Sequence, residues 1–589
     1  MISSVTIRRY FVGLLGLVFA IAYHSFNPVS LKTEAAQTNQ IVVSVPSDPQ
    51  TFNYALNYQS PSVFEFSYEG LVRENGVTGE IEPALAERWD IAADKLHIIF
   101  TLREGLKWSD GQPLTVDDVV FTYKDIYFNE QIPTDVSDIF KVGNNRTLPS
   151  VRKLDKRRVE FTLPELFAPF LRYTSQAILP AHALRESITS KDAGGQLRFL
   201  STWGTDTDPA NVIVNGPYQI ERYTPGQQVM FRRNPYYWRK DKQGNSQPYI
   251  DRIIWKIIAS RDTQLLKFRS GELDIYNLRP EDFQPLQQEE KSGKFTIYKG
   301  GRAIGTTFIT FNLNKGWRDG LPLVDPIKSR WFNTVAFRQA IAYGIDRQRA
   351  IDKIFHGLGE PQNSPIAVQS QYYLSPAQGL KVYDYNPELA RKLLTSAGFK
   401  YDRTGSLLDA EGNRVRFTLI TNSENKTRTE MALQIKQDLD KIGIGVDLQL
   451  ISFNSFVDKV YSSMDWECTL QSFTDGVEPH AGFNIWSPDG GLHSFNQKPQ
   501  PGQPPIEGRE VADWEAEIGR LYIEGAREVN EAKRKAVYAE TQRITQEYLP
   551  MIYLVNALSM SAVRDRIQNV KYSVLGGAVW NIYELKVSD

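Results

Sequence analysis

The sequence predicts a mixed α/β protein of two or three folding units, on three observations. At 589 residues the chain exceeds what one hydrophobic core supports, since single cores stop growing near ~250–300 residues. β-Branched and alternating apolar runs mark strands, above all in the first half, and 3.6-period runs mark helices later on. The two kinds of element are interspersed without a clean strand–helix–strand alternation, which favours lobes of mixed α/β architecture.

In chain order, residues 41–45 (IVVSV) form a buried strand closed by Pro46 and Asp48-Pro49. Residues 95–103 (KLHIIFTLR) place Leu96, Ile98, Phe100 and Leu102 on one strongly apolar strand face. The next stretch, residues 106–123 (LKWSDGQPLTVDDVVFTY), carries Asp110, Asp117 and Asp118 close together, which suggests a metal cage or a carboxylate catalyst. Local physics gives these acids other work. Asp110-Gly111 is a turn dipeptide. Thr115 suits a helix N-cap with Asp118 at the third helical position, much like a capping box at the positive end of the helix dipole. Val119, Val120 and Tyr123 then turn an apolar face inward.

Residues 229–232 and 253–258 are further strands, separated by the turn-rich RRNPYYWRKDKQGNSQP. Residues 335–354 and 528–547 read as helices by period. Asn386-Pro387-Glu388 starts another helix, with Leu389, Leu393 and Leu394 as its stripe and Gly398 as its stop. Residues 409–413 (DAEGN) superficially resemble a calcium loop but lack its remaining ligands, so a hairpin turn is expected. The Pro-rich residues 499–508 form an exposed loop rather than a domain linker.

Composition excludes several functions. Lys+Arg 68 against Asp+Glu 69 leaves a net charge of -1, without the basic field of a nucleic-acid binder. The one cysteine, Cys468, cannot form an intramolecular disulfide and reads as a small buried hydrophobe. HExxH, GxSxG and P-loop motifs are absent, and six His are scattered singly. His356-Gly357-Leu358-Gly359 lacks the third glycine of a dinucleotide loop and ends a helix. Glu478, His480 and His493 could join Asp475 around a metal, but their spacing does not demand it. No catalytic residue, metal or other cofactor is expected, and the chain is read as a binder, not an enzyme.

At the N-terminus, Arg8-Arg9 precede an apolar run of about 14 residues, 10–23 (YFVGLLGLVFAIAY). That is the pattern of a secretory signal and short of the ~20 residues a membrane span needs. Residues 1–36 are therefore expected to be a signal peptide, cleaved near Thr33-Glu34-Ala35-Ala36. Ile7 stands where a twin-arginine signal usually has Ser or Thr, so ordinary secretion is expected. No Cys follows the run, so the product is periplasmic or exported rather than a lipoprotein.

The segment IEPALAERWDIAADKLHIIFTLREGLKWSDGQPLTVDDVVFTY resembles the signature region of the family 5 extracellular solute-binding proteins, the oligopeptide- and dipeptide-binding receptors of ABC importers. The resemblance continues through Asn215-Gly216-Pro217-Tyr218, Pro225-Gly226-Gln227 and Arg233-Asn234-Pro235-Tyr236-Tyr237-Trp238. It extends to residues 337–347 (FRQAIAYGIDR), residues 386–399 and the helix around Arg534, Tyr538 and Gln542.

The resemblance implies a large two-lobe periplasmic-binding-protein fold of the peptide-receptor type. Lobe I would comprise residues 37–302, with an extra subdomain at about 60–185, and lobe II residues 303–552. Residues 553–589 would return to lobe I. The solute would be buried as the lobes close, and the closed form would engage a membrane permease.

Asp475, within Asp475-Gly476-Val477-Glu478-Pro479, corresponds to the acid that meets a peptide's ammonium group in peptide-binding members. Ser472, Phe473 and Thr474 would offer backbone groups to an extended peptide. Tyr58, Gln59 and Ser60 would contribute from lobe I, and Trp486 would line the pocket. Thr469 stands where some oligopeptide receptors have an Arg for the ligand carboxylate. The implied protein is a monomer that binds a peptide or similar small solute, with an oligosaccharide as the alternative within the fold. From another class, the alternative is an exported hydrolase or peptidase.

Overall fold

The computed structural model describes residues 39–57, 62–474, 476–499 and 503–588. The expected signal peptide and the site candidates Tyr58, Gln59, Ser60 and Asp475 lie outside the described residues.

Two large hydrophobic cores and two smaller ones organise the described residues. The first contains Ile41, Phe100, Trp108, Phe161, Phe231 and Trp255. One sheet of this body runs in the order Gln40–Val45, Arg252–Ile257, Gln228–Arg233, Tyr218–Thr224, parallel at its first pair and antiparallel thereafter. A second, antiparallel sheet runs Ala86–Ile91, His97–Leu102, Arg158–Thr162, Ser150–Lys153. Ile98, Phe100 and Leu102 are buried on one face of it, as their alternation requires.

Beside this sheet, Thr115 caps the helix Val116–Val120, which continues as the π-helix Phe121–Tyr127. All three aspartates of this stretch are engaged by the protein itself. Asp118 accepts from the backbone N–H of Thr115 at 2.8 Å and of Ala181 at 2.9 Å. Asp117 pairs with Lys153 at 2.7 Å and Asp110 with His182 at 2.9 Å.

The second core holds Phe308, Phe311, Phe337, Phe417, Cys468 and Tyr553. Its five-stranded sheet runs Gly445–Ile451, Arg416–Asn422, Cys468–Phe473, Thr306–Phe311, Met551–Tyr553. The first two pairings are parallel and the last two antiparallel.

Helices cover this sheet, and their ends follow the caps in the sequence. Asn386 accepts from Leu389 N–H at 2.9 Å and starts the helix Pro387–Ser396. The expected helix over residues 335–354 is instead two, Val335–Gly344 and Arg347–Lys353. Asp346 causes the restart, because its side chain accepts from Arg349 N–H at 2.9 Å. Residues 409–413 form the expected hairpin turn, with the Asp409 carboxylate accepting from the backbone N–H of Glu411 and Asn413.

The third, smaller core joins Phe268, Tyr276, Leu286, Phe295 and Met560. Here the long strand Val555–Arg564 pairs with Ile275–Asn277 and Phe295–Arg302, and its start pairs with Gly359–Pro361. The chain thus passes between the large bodies twice, from Phe295–Arg302 into Thr306–Phe311 and back from Met551–Tyr553 into Val555–Arg564.

Candidate functional site

The two passages are tied together where they run side by side. The Asn556 side-chain amide donates to Gly305 O at 2.6 Å and Ala303 O at 3.3 Å. Leu554 N–H donates to Thr307 O at 2.9 Å, and Gln362 bonds both, giving its backbone N–H to Leu554 O and accepting from Thr307 N–H. Gly305 has φ +118°, and a β-carbon there would stand 2.9 Å from Phe473 O. Only glycine meets both conditions at no cost.

The strand Cys468–Phe473 reaches this crossing through its pairing with Thr306–Phe311, which sets Thr306 opposite Phe473 and Thr307 opposite Ser472. The Thr307 and Ser472 hydroxyls lie 3.1 Å apart. A cavity of about 430 Å³ opens here, lined by Thr306, Thr307, Ser472, Phe473, Thr474 and Asn556, with Arg428 on the facing helix Lys426–Asp440. Three of the expected site residues, Ser472, Phe473 and Thr474, therefore share one wall.

Trp486 sits on the other side of the same strand end. With Phe473 and Thr474 it lines a second, narrow crevice. Its ring is buried and stacked on Tyr522, with centroids 6.3 Å apart and planes at 22°, so most of its surface is spent on packing. Thr469 is fully buried and takes a weak 3.3 Å hydrogen bond from the Gln471 amide.

The loop that leaves Thr474 is fixed from behind. Ser370 Oγ donates to Val477 O at 2.6 Å. The Glu478 carboxylate meets the Arg534 guanidinium through two bonds, Nη2 to Oε1 at 2.6 Å and Nη1 to Oε2 at 3.1 Å. Arg534 also donates to Tyr372 OH at 2.5 Å and Gly525 O at 2.7 Å. Burial works against the Arg534 charge, but Glu478, Tyr538 and Tyr372 together outweigh it and hold the guanidinium above the ordinary arginine range.

His480 follows, stacked on Phe483 and edge-on to Phe167 of the first body at 5.3 Å. Burial pushes its imidazole down to about 4, against the pull of Glu478. His493 is bonded to Ile485 O and Glu515. Glu478 and His493 are thus each committed elsewhere, and among the described residues no group of three or more His, Cys, Asp or Glu is arranged to hold a metal.

The sequence reading did not single out Arg428, Gln362 or Asn556. Asn425, three residues before Arg428, signals a helix start and does cap it at 3.0 Å. Nothing local reveals that this first turn faces the crossing strands.

Residues 80–493 match the family described as bacterial extracellular solute-binding proteins, family 5 Middle. The chain belongs to this family. Family 5 proteins are extracellular binding proteins, and among the described residues no helix is long and apolar enough to cross a membrane. A probable ABC transporter-binding protein of Deinococcus radiodurans is 30% identical over 550 residues, covering 88% of this chain and 87% of the relative. The oligopeptide-binding protein AppA of Bacillus subtilis is 24% identical over 452 residues, covering 74% and 75%. The AppA structure with a nonapeptide matches 93% of this chain and 99% of its own at a TM-score of 0.71 and 21% identity. The periplasmic binding protein MelB of Agrobacterium fabrum, in complex with stachyose, matches 93% of this chain and 84% of its own at a TM-score of 0.74 and 21% identity. The two-lobe family 5 fold expected from the signature region is the fold these structures share with the chain.

Proposed function

We propose that this family 5 protein is an exported receptor of an ABC importer that captures a peptide between two closing lobes and delivers it to a membrane permease. One observation carries the reading: the end of the strand Cys468–Phe473 opens into a cavity at the point where the chain crosses twice between its two bodies. A solute there would meet the second body and both crossing segments, with Pro280 at the cavity's edge, and closure of the first body over it would complete the site. Lobe I would be residues 37–302 with the extra subdomain at about 60–185, lobe II residues 303–552, and residues 553–589 the return. Residues 1–36 would direct export.

Asp475 would meet the ligand ammonium. Ser472, Phe473 and Thr474 would pair with the peptide backbone, Tyr58, Gln59 and Ser60 would approach from lobe I, and Trp486 would close one end. The oligopeptide-binding relative AppA supports a peptide as cargo. The likeness to a stachyose-bound protein keeps the oligosaccharide reading in view, but the stacking of Trp486 on Tyr522 leaves little of its face for a sugar ring. The protein would act as a monomer, without chemical turnover.

The test is a thermal-shift screen of peptides, oligosaccharides and metal chelates. Peptides should stabilise the wild type and not Asp475→Ala, whose own unfolding temperature should match the wild type. Stabilisation by oligosaccharides alone would reverse the choice of cargo. Incubated peptides should be recovered intact by mass spectrometry, and cleaved products would identify a peptidase.

A further inference from the structure

A second cavity, sharing no lining residue with the one beside Ser472–Thr474, lies on a seam between the two bodies. Its volume of about 450 Å³ falls within the ~300–1,000 Å³ usual for ligand pockets. Ile91, Leu163, Phe167 and Phe170 of the first body line it, and Val529 of the second joins them. Apart from Lys95, every other lining residue is Ala, Ile or Leu.

Both bodies leave apolar surface uncovered here. Ile91 ends the strand Ala86–Ile91 at the edge of its sheet and is 50% exposed, and Val529 is 37% exposed. Val529 stands in the short turn between the helices Asp513–Arg527 and Glu531–Tyr548, where polar residues are the rule. Phe167, on the other wall, already touches the second body, edge-on to His480. The groove is therefore a joint feature of the two bodies, and holding water against it is unfavourable.

One charge indicates the chemistry that fits. Lys95 sits at φ +60° in the tight loop between Ala86–Ile91 and His97–Leu102, where its N–H donates to Ala92 O at 2.9 Å. Among the described residues no carboxylate pairs with its ammonium. Its neighbour Asp94 is turned to the His97 ring at 2.8 Å and to Leu96 N–H at 2.9 Å, and Glu165 is paired with Arg527. We propose that this groove is a second binding site, for a single-chain amphiphile with an apolar tail and an anionic head, such as a fatty acid. The tail would lie along Ile91, Phe170 and Val529, and the head would meet Lys95. An occupant touching both bodies would hold them together from outside the cavity at the crossing, whatever cargo that cavity takes.

Isothermal titration calorimetry tests this with hexanoate, octanoate and decanoate, and with decyltrimethylammonium as the cation of equal tail, all below micelle-forming concentrations. Wild-type affinity should rise roughly three- to tenfold with each two added carbons, and decanoate should bind more tightly than decyltrimethylammonium. Lys95→Gln should weaken decanoate roughly two- to fivefold, the effect of a partly exposed ion pair. Lys95→Glu should reverse the order of decanoate and decyltrimethylammonium. Ala93 lines the groove from an exposed position, so Ala93→Trp should fill it, leave the fold intact and weaken decanoate at least about tenfold. Val529→Asp should weaken decanoate as well, since it puts a charge against the tail from the second body.

No decanoate binding at millimolar concentration, decanoate binding that survives Ala93→Trp, or equal wild-type affinity for decanoate and decyltrimethylammonium would each overturn the proposal. Unchanged affinity in Val529→Asp would overturn the joint site by confining it to the first body. Self-association in sedimentation velocity that Ala93→Trp abolishes would give the groove to a second copy of the chain instead. Binding to anionic lipid vesicles without binding of free decanoate would give it to a membrane surface. The wild-type comparisons of tail length and head charge decide even if the variants misfold.

Discussion

Glu478 and Arg534 lie 56 residues apart in the chain and face each other 2.6 Å apart in the interior, with side chains 7% and 6% exposed. The pair sits directly behind the loop that follows Thr474, so the wall of the cavity depends on a buried ion pair for its position.

Breaking that pair from one side leaves a buried charge without its partner. Glu478→Gln or Arg534→Met should cost about 3–5 kcal/mol of stability. The double variant Glu478→Gln/Arg534→Met should cost less than the sum of the single variants. Urea unfolding measures all three. Additive losses would mean that the two groups do not depend on each other.

Gly305 is where two demands coincide, a positive φ and close approach to Phe473 O. Gly305→Ala should destabilise the crossing by roughly 1–3 kcal/mol and weaken ligand binding with it. Gly301→Ala, at a positive φ but with nothing within 4 Å of the added β-carbon, should weaken binding less. Calorimetry on the two variants separates close approach from backbone strain.

A contact remote from the crossing joins the two bodies again. The helix Asp513–Arg527 packs Ile518 and Tyr522 into the second core, yet buries Ala526 in the first. There Ala168 N–H donates to Ala526 O at 2.7 Å, and Arg527 pairs with Glu165, also at 2.7 Å. As a partly exposed ion pair it contributes little, roughly 0.2–1 kcal/mol. Arg527→Ala should therefore speed ligand release by no more than about fivefold. Raising the salt should move the wild type toward the variant. Stopped-flow release rates at two ionic strengths check both.

His480 sets a pH dependence. Its folded pKa of about 4 lies below the ordinary value of 6.5, because burial opposes its charge. The unfolded chain takes up the proton between those two values and the folded chain does not. Stability contributed by the neutral ring is therefore full above pH 6.5, is lost as pH falls toward 4, and changes no further below that. The loss amounts to roughly 3 kcal/mol. His480→Phe, between Phe167 and Phe483, should show a smaller loss over that window in urea melts at pH 7, 5.5 and 4.5.

Much of this architecture is legible residue by residue. The strand at 41–45, the Thr115–Asp118 capping box and the Asn386 cap follow from contacts within a few positions along the chain. What escapes the reading depends on distance. The apolar period runs unbroken through residues 335–354, and only the Asp346 side chain shows that the helix restarts there. Glu478 looks like a metal ligand beside His480 until Arg534, far along the chain, is seen to occupy it. Arg428 looks like any helix-first-turn arginine, because nothing near it in the sequence shows that it lines the cavity beside Ser472–Thr474. Ser472, Phe473 and Thr474 are expected from resemblance alone, since strand-end residues carry no local mark of facing a cavity.

The three aspartates of residues 106–123 are held by Thr115, Ala181, Lys153 and His182. The stretch that announces the family is thus taken up with holding the first body together and lines no part of the cavity beside Ser472–Thr474. Diversification can proceed accordingly: exchanges among the residues that line that cavity leave the badge of kinship intact. Inferring diet from the badge is unsafe, and inferring it from the wall is the sounder course.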